Sequence, residues 1–355
     1  MKIAILNDTH WGARADNAAF AEYFIKFYRE IFFPYLRENN IKTVFHLGDL
    51  ADRRKYINFV TAKNLEEHFV KVCKDDGIEL YMIAGNHDTF YKNTNDVNTL
   101  RQLYGSSSYD NLHLYWDAPV ELDMEGCKIM LSPWICQDNY ESSMKAFKTT
   151  DAQILMGHFE IAGYEMMRGQ ICADGMDRGI FKKFDAVYSG HFHHPSTHGN
   201  ISYLGAQYEM TWTDYDQKRG FSVFDTETRS MTYVENPFKM FHKIVYDDTD
   251  MTIEDIANLD TKSLTNTFIK VIVTNKGNPY IFDLFMDRLH AAAPCDVKVI
   301  EDRMSLDIVD ESELIDEAQD TLAILKSYVQ NLEFSGDKVR VERVLDELYK
   351  EAINL

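Results

Sequence analysis

The sequence predicts an α/β fold with a parallel sheet at its centre, followed by a smaller α+β module and a pair of helices. Three observations lead to this prediction. Five short, almost wholly apolar runs are each followed within about three residues by a polar group beside glycine or another small residue, a pattern typical of buried parallel strands. Helix-forming stretches separate the first three runs, and regularly spaced apolar residues recur near the end of the chain.

The five apolar runs predict buried parallel strands. They occupy residues 2–10, 42–52, 80–88, 154–160 and 186–194. Helix formers at 18–38 and 61–76 lie between the first three runs, and this β-α-β-α-β order requires parallel strands. Ligands of such sheets gather at the carboxyl ends of the strands. We therefore expect one rim to collect the polar residues that end the runs: Asp8, Asp49, Asn86, His158 and His191.

Beyond residue 200 the pattern changes to strands joined by tight turns. The stretches 200–210 and 220–236 predict strands that complete a second sheet. Residues 241–308 repeat the β-α-β-α-β order on a smaller scale and predict a small α+β module. At 311–332, and again after 335–337, apolar residues recur at spacings of three and four. This spacing predicts two amphipathic helices, which either pack on their own domain or bind a partner.

The composition is that of a globular chain without a membrane span. Apolar residues make up 45% of the 355 residues, yet no run approaches the eighteen or so consecutive apolar residues that a span requires. The apolar run from Ile3 to Leu6 is too short for a signal-peptide core. Five widely spaced cysteines without a CxxC pair argue against disulfides and zinc ribbons. We therefore expect reduced thiols and a cytoplasmic location.

The polar residues after the strands combine carboxylates, imidazoles and one amide oxygen. They are Asp8, His10, Asp49, Asn86, His87, His158, His191 and His193. Such a mixture is typical of sites for manganese, iron(II) or zinc. Magnesium and calcium sites usually consist of oxygen donors alone. The set is too large for one ion and sufficient for two if Asp49 bridges them. Two ions roughly 3.5–4 Å apart lower the pKa of a bound water toward about 7 and clamp a phosphoryl oxygen. The predicted reaction is phosphoester hydrolysis.

Each motif taken alone has a simpler interpretation. Asp8 with His10 occurs in ordinary polar turns, the segment 85–88 suits a tight turn, and Asp49 after a glycine suits a helix N-cap. The histidine cluster at 190–194 is also compatible with a surface loop. The presence of all five motifs in one chain, each after a buried-strand pattern, favours a metal site over these alternatives.

In this order the motifs DTH, GDLAD, GNHD, GHF and GHFH resemble those of the calcineurin-like metallophosphoesterases. The resemblance covers roughly residues 1–240 and implies a four-layer αββα sandwich. It implies that one ion is held by Asp8, His10, Asp49 and His193. It implies that the second ion is held by Asp49, Asn86, His158 and His191. In the same comparison, His87 stabilises the transition state or protonates the leaving oxygen.

Longer stretches are similar to the double-strand-break-repair nucleases, the SbcD-like branch of that family, and within it to the recombination endonuclease subunits of large tailed phages. These stretches are NDTHWGARAD, AGNHDTFYKNTND, SPWICQDN, SGHFH and RGFSVFDTET. The resemblance implies a DNA exonuclease and endonuclease that uses two manganese ions, with magnesium as the alternative, and works as a homodimer with an SbcC-like coiled-coil ATPase. It implies a nuclease domain at 1–240, a capping domain at 241–308 and an ATPase-binding helical pair at 309–355.

Two positions differ from what is common in this branch. Position 52 is Asp, where archaeal and eukaryotic members commonly have a second catalytic histidine. We therefore expect Asp52 to assist His87 by orienting its ring. Asn7 stands where serine or glycine is common, and nothing follows from this difference.

Three further histidines match no motif position. His46 lies inside a strand run and is expected to be a hydrogen-bonded core residue. His194 and His198 are expected to face the solvent. None of the three is expected to bind an ion.

The net charge of −20 repels polyanions at long range, so DNA binding requires local basic patches, bound cations or a partner chain. Candidates for a basic rim are Arg14, Arg53, Arg54 and Lys92, together with Lys55, Lys218 and Arg219. An ordinary solvated surface is the alternative for each of them. We expect weak, salt-sensitive DNA binding by the isolated chain.

Two other functions compete with the nuclease. A stand-alone metallophosphoesterase acting on small phosphodiesters or phosphoproteins would share the metal site without needing the tail helices. A non-catalytic scaffold is disfavoured because the ligand set is complete. The homodimer interface is expected in the helix at 18–38 or around 96–104, unless their apolar faces pack on the core instead.

Overall fold

The computed structural model describes residues 1–167, 170–301, 340, 341 and 344. Its strands, numbered along the chain, are β1 (Lys2–Leu6), β2 (Thr43–Leu47), β3 (Glu79–Ile83), β4 (Leu112–Tyr115), β5 (Val120–Met124), β6 (Cys127–Ser132), β7 (Ile154–His158), β8 (Glu165–Met167), β9 (Gln170–Ile171), β10 (Ala186–Gly190), β11 (Ser196–His198), β12 (Ile201–Tyr203), β13 (Gly220–Asp225), β14 (Ser230–Glu235), β15 (Phe241–Asp247), β16 (Phe268–Asn275) and β17 (Asp296–Ile300).

The helices connect these strands. The α-helices are α1 (Ala13–Asp16), α2 (Ala18–Phe27), α3 (Phe33–Glu38), α4 (Phe59–Leu65), α5 (Lys71–Asp75), α6 (Thr99–Tyr104), α7 (Tyr140–Thr149), α8 (Ile253–Ala257) and α9 (Pro279–His290). Turns of π-helix at Tyr28–Phe32 and Glu66–Val70 join α2 to α3 and α4 to α5. Short 3-10 helices lie at Arg178–Phe181, Trp212–Asp214 and Lys262–Leu264. Within the described ranges, no helix has both the length and the apolar character needed to cross a membrane.

The helices predicted at 18–38 and 61–76 are confirmed. Asn17 begins the first one, since its side-chain oxygen accepts the N–H of Ala19 at 2.9 Å. Gly77 ends the second one in a left-handed conformation, with φ of 63°. Their apolar faces are buried in one core cluster that also contains Leu100 and Tyr104 of α6. The apolar faces at 18–38 and 96–104 therefore pack on the core, which was the alternative to a dimer interface.

The first sheet has the strand order β14-β13-β1-β2-β3-β4. Strands β1, β2 and β3 are parallel, as predicted, and β4, which was not predicted from the sequence, pairs in parallel with β3. Strand β13 adds to the other side of β1 in antiparallel orientation. Alternate residues of each strand face opposite sides. Ala4 and Leu6 of β1 contact the cluster formed with the helices, whereas Ile3 and Ile5 contact a second cluster on the other face.

The second sheet has the order β11-β12-β10-β7-β6-β5. Its residues Ile129, Leu131, Ile154 and Met156 share the cluster that contains Ile3 of the first sheet, so the two sheets pack face to face. A third cluster, which includes Phe147 of α7 and Phe181, covers the outer face of the second sheet. The layers are therefore helix, sheet, sheet and helix, which confirms the predicted α/β class and four-layer sandwich.

The prediction that residues 200–236 complete the second sheet is wrong for the hairpin formed by β13 and β14. Strand β12 pairs with β10 in the second sheet, but β13 and β14 extend the first sheet. The hairpin has two apolar faces, because Val223 contacts the helix-side cluster and Phe224 the cluster between the sheets. The sequence pattern identifies such a strand correctly but does not encode its partner.

The described residues of 241–301 form the predicted small α+β module. Strands β15, β16 and β17 are parallel and pack against α8 and α9 around Tyr246, Val271 and Leu289. Phe241 and Phe268 also contact Phe20 of α2, with ring centroids 6.0 and 5.5 Å away. The helical pair predicted at 309–355 lies outside the described residues, apart from residues 340, 341 and 344.

Candidate metal centre

The predicted ligands come from strand ends of both sheets. Asp8 and His10 follow β1, Asp49 follows β2 and Asn86 follows β3 in the first sheet. The second sheet contributes the residues at the ends of β7 and β10: His158, His191 and His193. Backbone bonds hold the first two loops together, as Asp8 N–H donates to Gly48 O at 2.9 Å and His10 N–H donates to Asp49 O at 3.1 Å. The structure thus brings all the predicted ligands to one edge.

Several of these residues have left-handed backbone dihedrals. The φ angles are 50° at Asp8, 41° at His10, 57° at Asp49 and 86° at His191. Non-glycine residues rarely adopt this region, which costs on the order of 1–3 kcal/mol per residue and is concentrated at functional sites. The surrounding structure therefore holds the backbone at these residues in conformations that non-glycine residues rarely adopt.

Asp8, His10 and His193 form one group of donors. Their ligand atoms all lie within 4.8 Å of one another. The Nε2 atoms of His10 and His193 are 3.1 Å apart. Asp8 Oδ1 lies 4.0 Å from the first of these nitrogens and 3.9 Å from the second. The other carboxylate oxygen of Asp8 accepts the Asn7 Nδ2–H at 2.6 Å, a role that the sequence did not suggest for Asn7.

Asp49, His158 and His191 form a second group, also within 4.8 Å. Asn86 Oδ1 lies between the two rings, 2.9 Å from His158 Nε2 and 2.9 Å from His191 Nδ1. His158 Nδ1 donates to Leu47 O at 2.8 Å, so its Nε2 is the nitrogen left to face Asp49 and Asn86. The buried amide and imidazoles therefore converge on a single small volume.

Asp49 lies between the two groups. Its Oδ2 is 3.3 Å from His158 Nε2 and 3.7 Å from His10 Nε2, and each of these histidines belongs to a different group. Burial raises the pKa of Asp49, but His158, His87 and His10 outweigh burial and hold it well below its usual range. This is the position that the sequence predicted for a bridging carboxylate.

The electrostatics of the site fit divalent cations. Asp8 and Asp49 are 0% and 1% exposed, and among the described residues their ion-pair partners are histidines only. Burial lowers the pKa of His10, but Asp52, Asp49 and Asp8 overcome this and raise it to about 10. The buried carboxylates thus require positive charge nearby, and a cation bound by the same nitrogens and oxygens would supply it.

His87 lies beside the donors. Its backbone N–H donates to Asp49 Oδ1 at 2.7 Å, and its ring is edge-on to that of His10 with centroids 4.8 Å apart. Its Nδ1 is 2.6 Å from the backbone oxygen of Asp52. Burial, opposed by Asp49, lowers the pKa of His87. The side chain is therefore next to the predicted ions without belonging to either group of predicted ligands.

Asp52 approaches His87 through both its main chain and its side chain. Its backbone oxygen lies 2.6 Å from His87 Nδ1, which agrees with the expectation that Asp52 orients this ring. Its carboxylate lies near the rings of both His10 and His87, with Oδ1 3.4 Å from His10 Nδ1.

Two acidic residues of the site were missed from the sequence. Asp88 accepts the backbone N–H groups of Leu50, Ala51 and Gly85 at 3.0, 3.2 and 2.8 Å, which ties the loops after β2 and β3 together. Burial and the nearby Asp49 raise the pKa of Asp88 to about 7 against these hydrogen bonds. Glu160 lies 3.2 Å from His191. The only signals were their positions, at the end of GNHD and directly after GHF.

The predictions for the remaining histidines are confirmed in two cases and wrong in one. His46 is fully buried, with Nε2 2.9 Å from Thr9 Oγ1, and His198 is exposed, as predicted. His194 was predicted to face the solvent, but it is buried. Burial, followed by the charge of Arg219, lowers its pKa.

Arg219 is also placed wrongly by the sequence prediction of a basic rim. Its side chain is 0% exposed and pairs with Asp214 at 2.6 Å. It also donates to the backbone oxygen of His193. The buried partner Asp214 explains why this cation lies inside, and its contact with His193 makes it a support for one predicted ligand.

The other basic candidates remain near the surface. Arg53 pairs with Asp16 at 2.9 Å, while Arg14 is half-buried and Lys92 is exposed. Arg54 is half-buried, and within the described part of the chain it makes no ion pair. Burial lowers its pKa, opposed by the charge of Asp49. Lys218 is paired with Glu235 at 3.5 Å. A carboxylate therefore already offsets the charge of Arg53 and of Lys218.

Comparisons with known proteins agree with the geometry. The sequence profile of the family described as calcineurin-like phosphoesterase matches residues 1–195. The chain is 34% identical over 274 residues to Exonuclease subunit 1 of Enterobacteria phage T4, and the match covers 77% of each protein. Two staphylococcal proteins, each named as the D subunit of the nuclease SbcCD, are 24% identical. The match with the Staphylococcus epidermidis protein covers 67% of this chain and 66% of that protein. The match with the Staphylococcus saprophyticus protein covers 56% of this chain and 58% of that protein.

These matches confirm the resemblance seen in the ordered motifs and its similarity to phage and SbcD-like proteins. The profile spans more than half of the chain, and it includes every predicted ligand from Asp8 to His193. The clustered carboxylates and imidazoles fit the divalent ions that calcineurin-like phosphoesterases use. The chain therefore belongs to the calcineurin-like phosphoesterase family.

Proposed function

We propose that this chain is a DNA nuclease with exonuclease and endonuclease activity. It would use two divalent ions, preferably manganese. We further propose that it acts in the cytoplasm as a subunit of a complex with an SbcC-like coiled-coil ATPase. The observation that carries the proposal is the convergence of the predicted donors in two groups on either side of Asp49. The names of the relatives, an exonuclease subunit and SbcCD nuclease subunits, give further support.

The proposed ligands divide between the two ions according to the observed groups. Asp8, His10 and His193 would hold one ion, and Asn86, His158 and His191 the other, with Asp49 shared. The nitrogen and oxygen donors are compatible with manganese, and magnesium is the weaker alternative because it prefers oxygen ligands. Bound ions would supply a water of lowered pKa and a clamp on the phosphoryl oxygens.

His87 is the proposed proton donor to the leaving oxygen. Its Nδ1–H donates to Asp52 O at 2.6 Å, which fixes the tautomer and the plane of the ring. Nε2 is then the nitrogen available to exchange a proton with the substrate. Asp49 also accepts the backbone N–H of His87 at 2.7 Å, so the ring keeps a set position relative to the shared carboxylate.

DNA is the proposed substrate despite the net charge of −20. The bound ions would place positive charge at the scissile phosphate, and Arg14, Arg53, Arg54 and Lys92 are the proposed basic contacts around it. Arg54 is the best supported of these because its charge interacts with Asp49 while it makes no ion pair among the described residues. DNA binding by the chain alone should be weak and should fall with salt.

The domains and the self-association complete the proposal. Residues 1–240 would be the nuclease domain, 241–308 the capping domain and 309–355 the helical pair that binds the ATPase. A homodimer would form through exposed apolar residues at the start of α4. Phe59 is 92% exposed and Val60 66% exposed, and Tyr56 nearby is 63% exposed. Such a patch on a surface otherwise rich in charge is typical of protein interfaces.

The test is hydrolysis of linear duplex DNA and of a generic phosphodiester with manganese or magnesium. Wild type should cleave both substrates. Asp49→Ala should lose both ions and all activity, because both groups of donors meet at Asp49. His87→Ala should still bind the ions but lose roughly 10²- to 10⁴-fold in rate, the usual effect of removing a general acid. His198→Ala, an exposed histidine outside the site, is the matched control and should behave as wild type.

Three results would contradict the proposal in different ways. If wild type leaves DNA intact even with its ATPase present, the nuclease function is wrong. Cleavage of the generic phosphodiester alone would indicate a stand-alone phosphoesterase. Equal loss of metal in Asp49→Ala and His87→Ala would contradict the role given to His87.

A further inference from the structure

Glu160 follows β7 by two residues, and its backbone is fixed on both sides. The hydroxyl group of Tyr203 donates to Phe159 O at 2.9 Å and accepts the N–H of Ile161 at 3.1 Å. Glu160 O accepts the N–H of Met176 at 2.7 Å. Phe159 and Ile161 are buried, while the side chain of Glu160 is 41% exposed. The segment therefore holds Glu160 as a polar residue between two core residues.

The carboxylate of Glu160 meets the outer nitrogen of His191. Glu160 Oε2 lies 3.2 Å from His191 Nε2, and the second oxygen of the carboxylate lies 3.9 Å from Cys172 Sγ. The inner nitrogen, His191 Nδ1, lies 2.9 Å from Asn86 Oδ1, on the side of Asp49 and His158. The two ring nitrogens of His191 thus face different partners, and the inner one alone faces the donor group.

Two other predicted histidine ligands, His158 and His10, also have an oxygen atom near the outer nitrogen. The outer nitrogen of His158, Nδ1, donates to Leu47 O at 2.8 Å. The outer nitrogen of His10, Nδ1, lies 3.4 Å from Asp52 Oδ1. A hydrogen-bond acceptor on the outer nitrogen fixes the tautomer of a ligating imidazole and raises its basicity. Each donor group therefore contains a histidine whose outer nitrogen faces a carboxylate.

We propose that Glu160 is a positioning residue for His191. By accepting the Nε2–H, its carboxylate keeps the proton away from Nδ1 and holds the lone pair of Nδ1 toward the ion that His191 shares with Asp49, Asn86 and His158. This inference rests on the proposed function, because it assigns Glu160 to one of the two proposed ions.

The first readout is manganese binding to the full chain, measured by calorimetric titration for wild type, Glu160→Ala and Glu160→Gln. Loss of an outer hydrogen-bond partner typically weakens metal binding about 10- to 100-fold. Glu160→Ala should show this loss for one of the two ions and leave the other unchanged. Glu160→Gln should retain most of the affinity, because the amide oxygen can accept the same N–H. Asp174→Ala removes an exposed carboxylate from the same segment and should bind as wild type does.

The second readout uses the metal-free protein. Nitrogen-15 NMR of the histidine rings should find His191 as the Nε2–H tautomer in wild type and Glu160→Gln, and as a mixture in Glu160→Ala. Unchanged affinity for both ions in Glu160→Ala would overturn the proposal, as would an Nδ1–H tautomer in wild type. Equal losses in the Gln and Ala variants would also overturn it, since the carboxylate would then act by charge or direct ligation. Two bound ions without DNA cleavage would refute the nuclease function alone.

Discussion

At the scale of single residues, the position of Asp49 depends on the lack of a side chain at Gly85. A Cβ atom at Gly85 would lie 2.2 Å from Asp49 Oδ1 and 2.4 Å from Asp49 N. The loops have little freedom to separate, because Asp88 accepts the N–H groups of both Gly85 and Leu50. The glycine of one motif therefore leaves room for the carboxylate of another.

Replacement of Gly85 by Ala should displace Asp49 and disturb both donor groups. We expect manganese binding to be lost at both positions, together with an overpacking cost of about 1–3 kcal/mol in the free energy of unfolding. Metal titration and urea unfolding would measure the two effects. Gly277→Ala is the control, since its Cβ would meet only Asp248 Oδ1, at 3.5 Å, and Asn275 Nδ2, at 3.9 Å. Normal stoichiometry in Gly85→Ala would show that the loops can rearrange.

The residues that converge at the candidate site could be predicted from the sequence, but the residues that support them could not. Asp8, Asp49 and His158 follow recognisable strands, and the strand ends of packed parallel sheets lie at a common edge. Arg219 seemed to be a surface cation because nothing near it in the sequence shows that it pairs with buried Asp214 and reaches His193. Such contacts depend on side-chain directions that are set only when the two sheets pack.

At the scale of elements, the strands that end in the candidate site were predicted, whereas β4, β5 and β6 were not and the predicted pairing of one hairpin was wrong. Residues 220–236 have a clear hairpin pattern, yet both faces of β13 are apolar, so the pattern suits either sheet. The decision lies in the register, in which Ile3 faces Phe224 and Ile5 faces Ser222 of β13. That register involves partners more than two hundred positions apart in the chain, a separation that local periodicity does not encode.

Helix α4 exposes apolar side chains at its start. Asn58 caps the helix, with its side chain accepting the N–H of Val60 at 2.8 Å, and this fixes Phe59 on the first turn. Leu65, further along the helix, is fully buried. The helix thus has one end in the core and an apolar end that a second copy of the chain could cover.

Phe59→Glu should weaken the proposed homodimer by about 2 kcal/mol or more, the cost typical of an interface hot spot. This corresponds to roughly a 30-fold increase in the dimer dissociation constant. Light scattering after size-exclusion chromatography would give the molar mass at several concentrations. Tyr280→Glu is the matched control, because Tyr280 is 61% exposed and lies on the first turn of α9. A variant that remains as dimeric as wild type would exclude this surface.

At the scale of the whole molecule, the acidic net charge disfavours DNA binding by the chain alone, and the proposed helices at 309–355 would recruit a partner that binds DNA. The chain has 57 acidic residues against 37 lysines and arginines, so a DNA duplex is repelled except where cations are concentrated. The proposed ATPase partner would bring DNA to the site through its own contacts. The regularly spaced apolar residues predicted at 311–332, which include Leu322 and Leu325, are the proposed contact with that partner.

A double substitution, Leu322→Asp with Leu325→Asp, should abolish binding to the ATPase by placing charge on the predicted apolar stripe. Manganese binding and hydrolysis of a generic phosphodiester should stay at the wild-type level, because the donors lie far away in the sequence. Co-purification of the two chains would measure the interaction. Ser327→Asp adds charge off the stripe and should leave the complex intact. Persistence of the complex in the double variant would exclude this helix as the link.

The pairing of β1 with β13 also bears on how the protein is made. During synthesis β1 leaves the ribosome first, but its antiparallel neighbour is complete only when Asp225 has emerged. Asp8 likewise waits for His191, 183 residues later. The growing chain therefore carries an unpaired, apolar strand edge for most of its translation, a state prone to aggregation. Until His191 and His193 have emerged, each donor group also lacks a histidine from the second sheet, so translation must pass β10 before either group is complete.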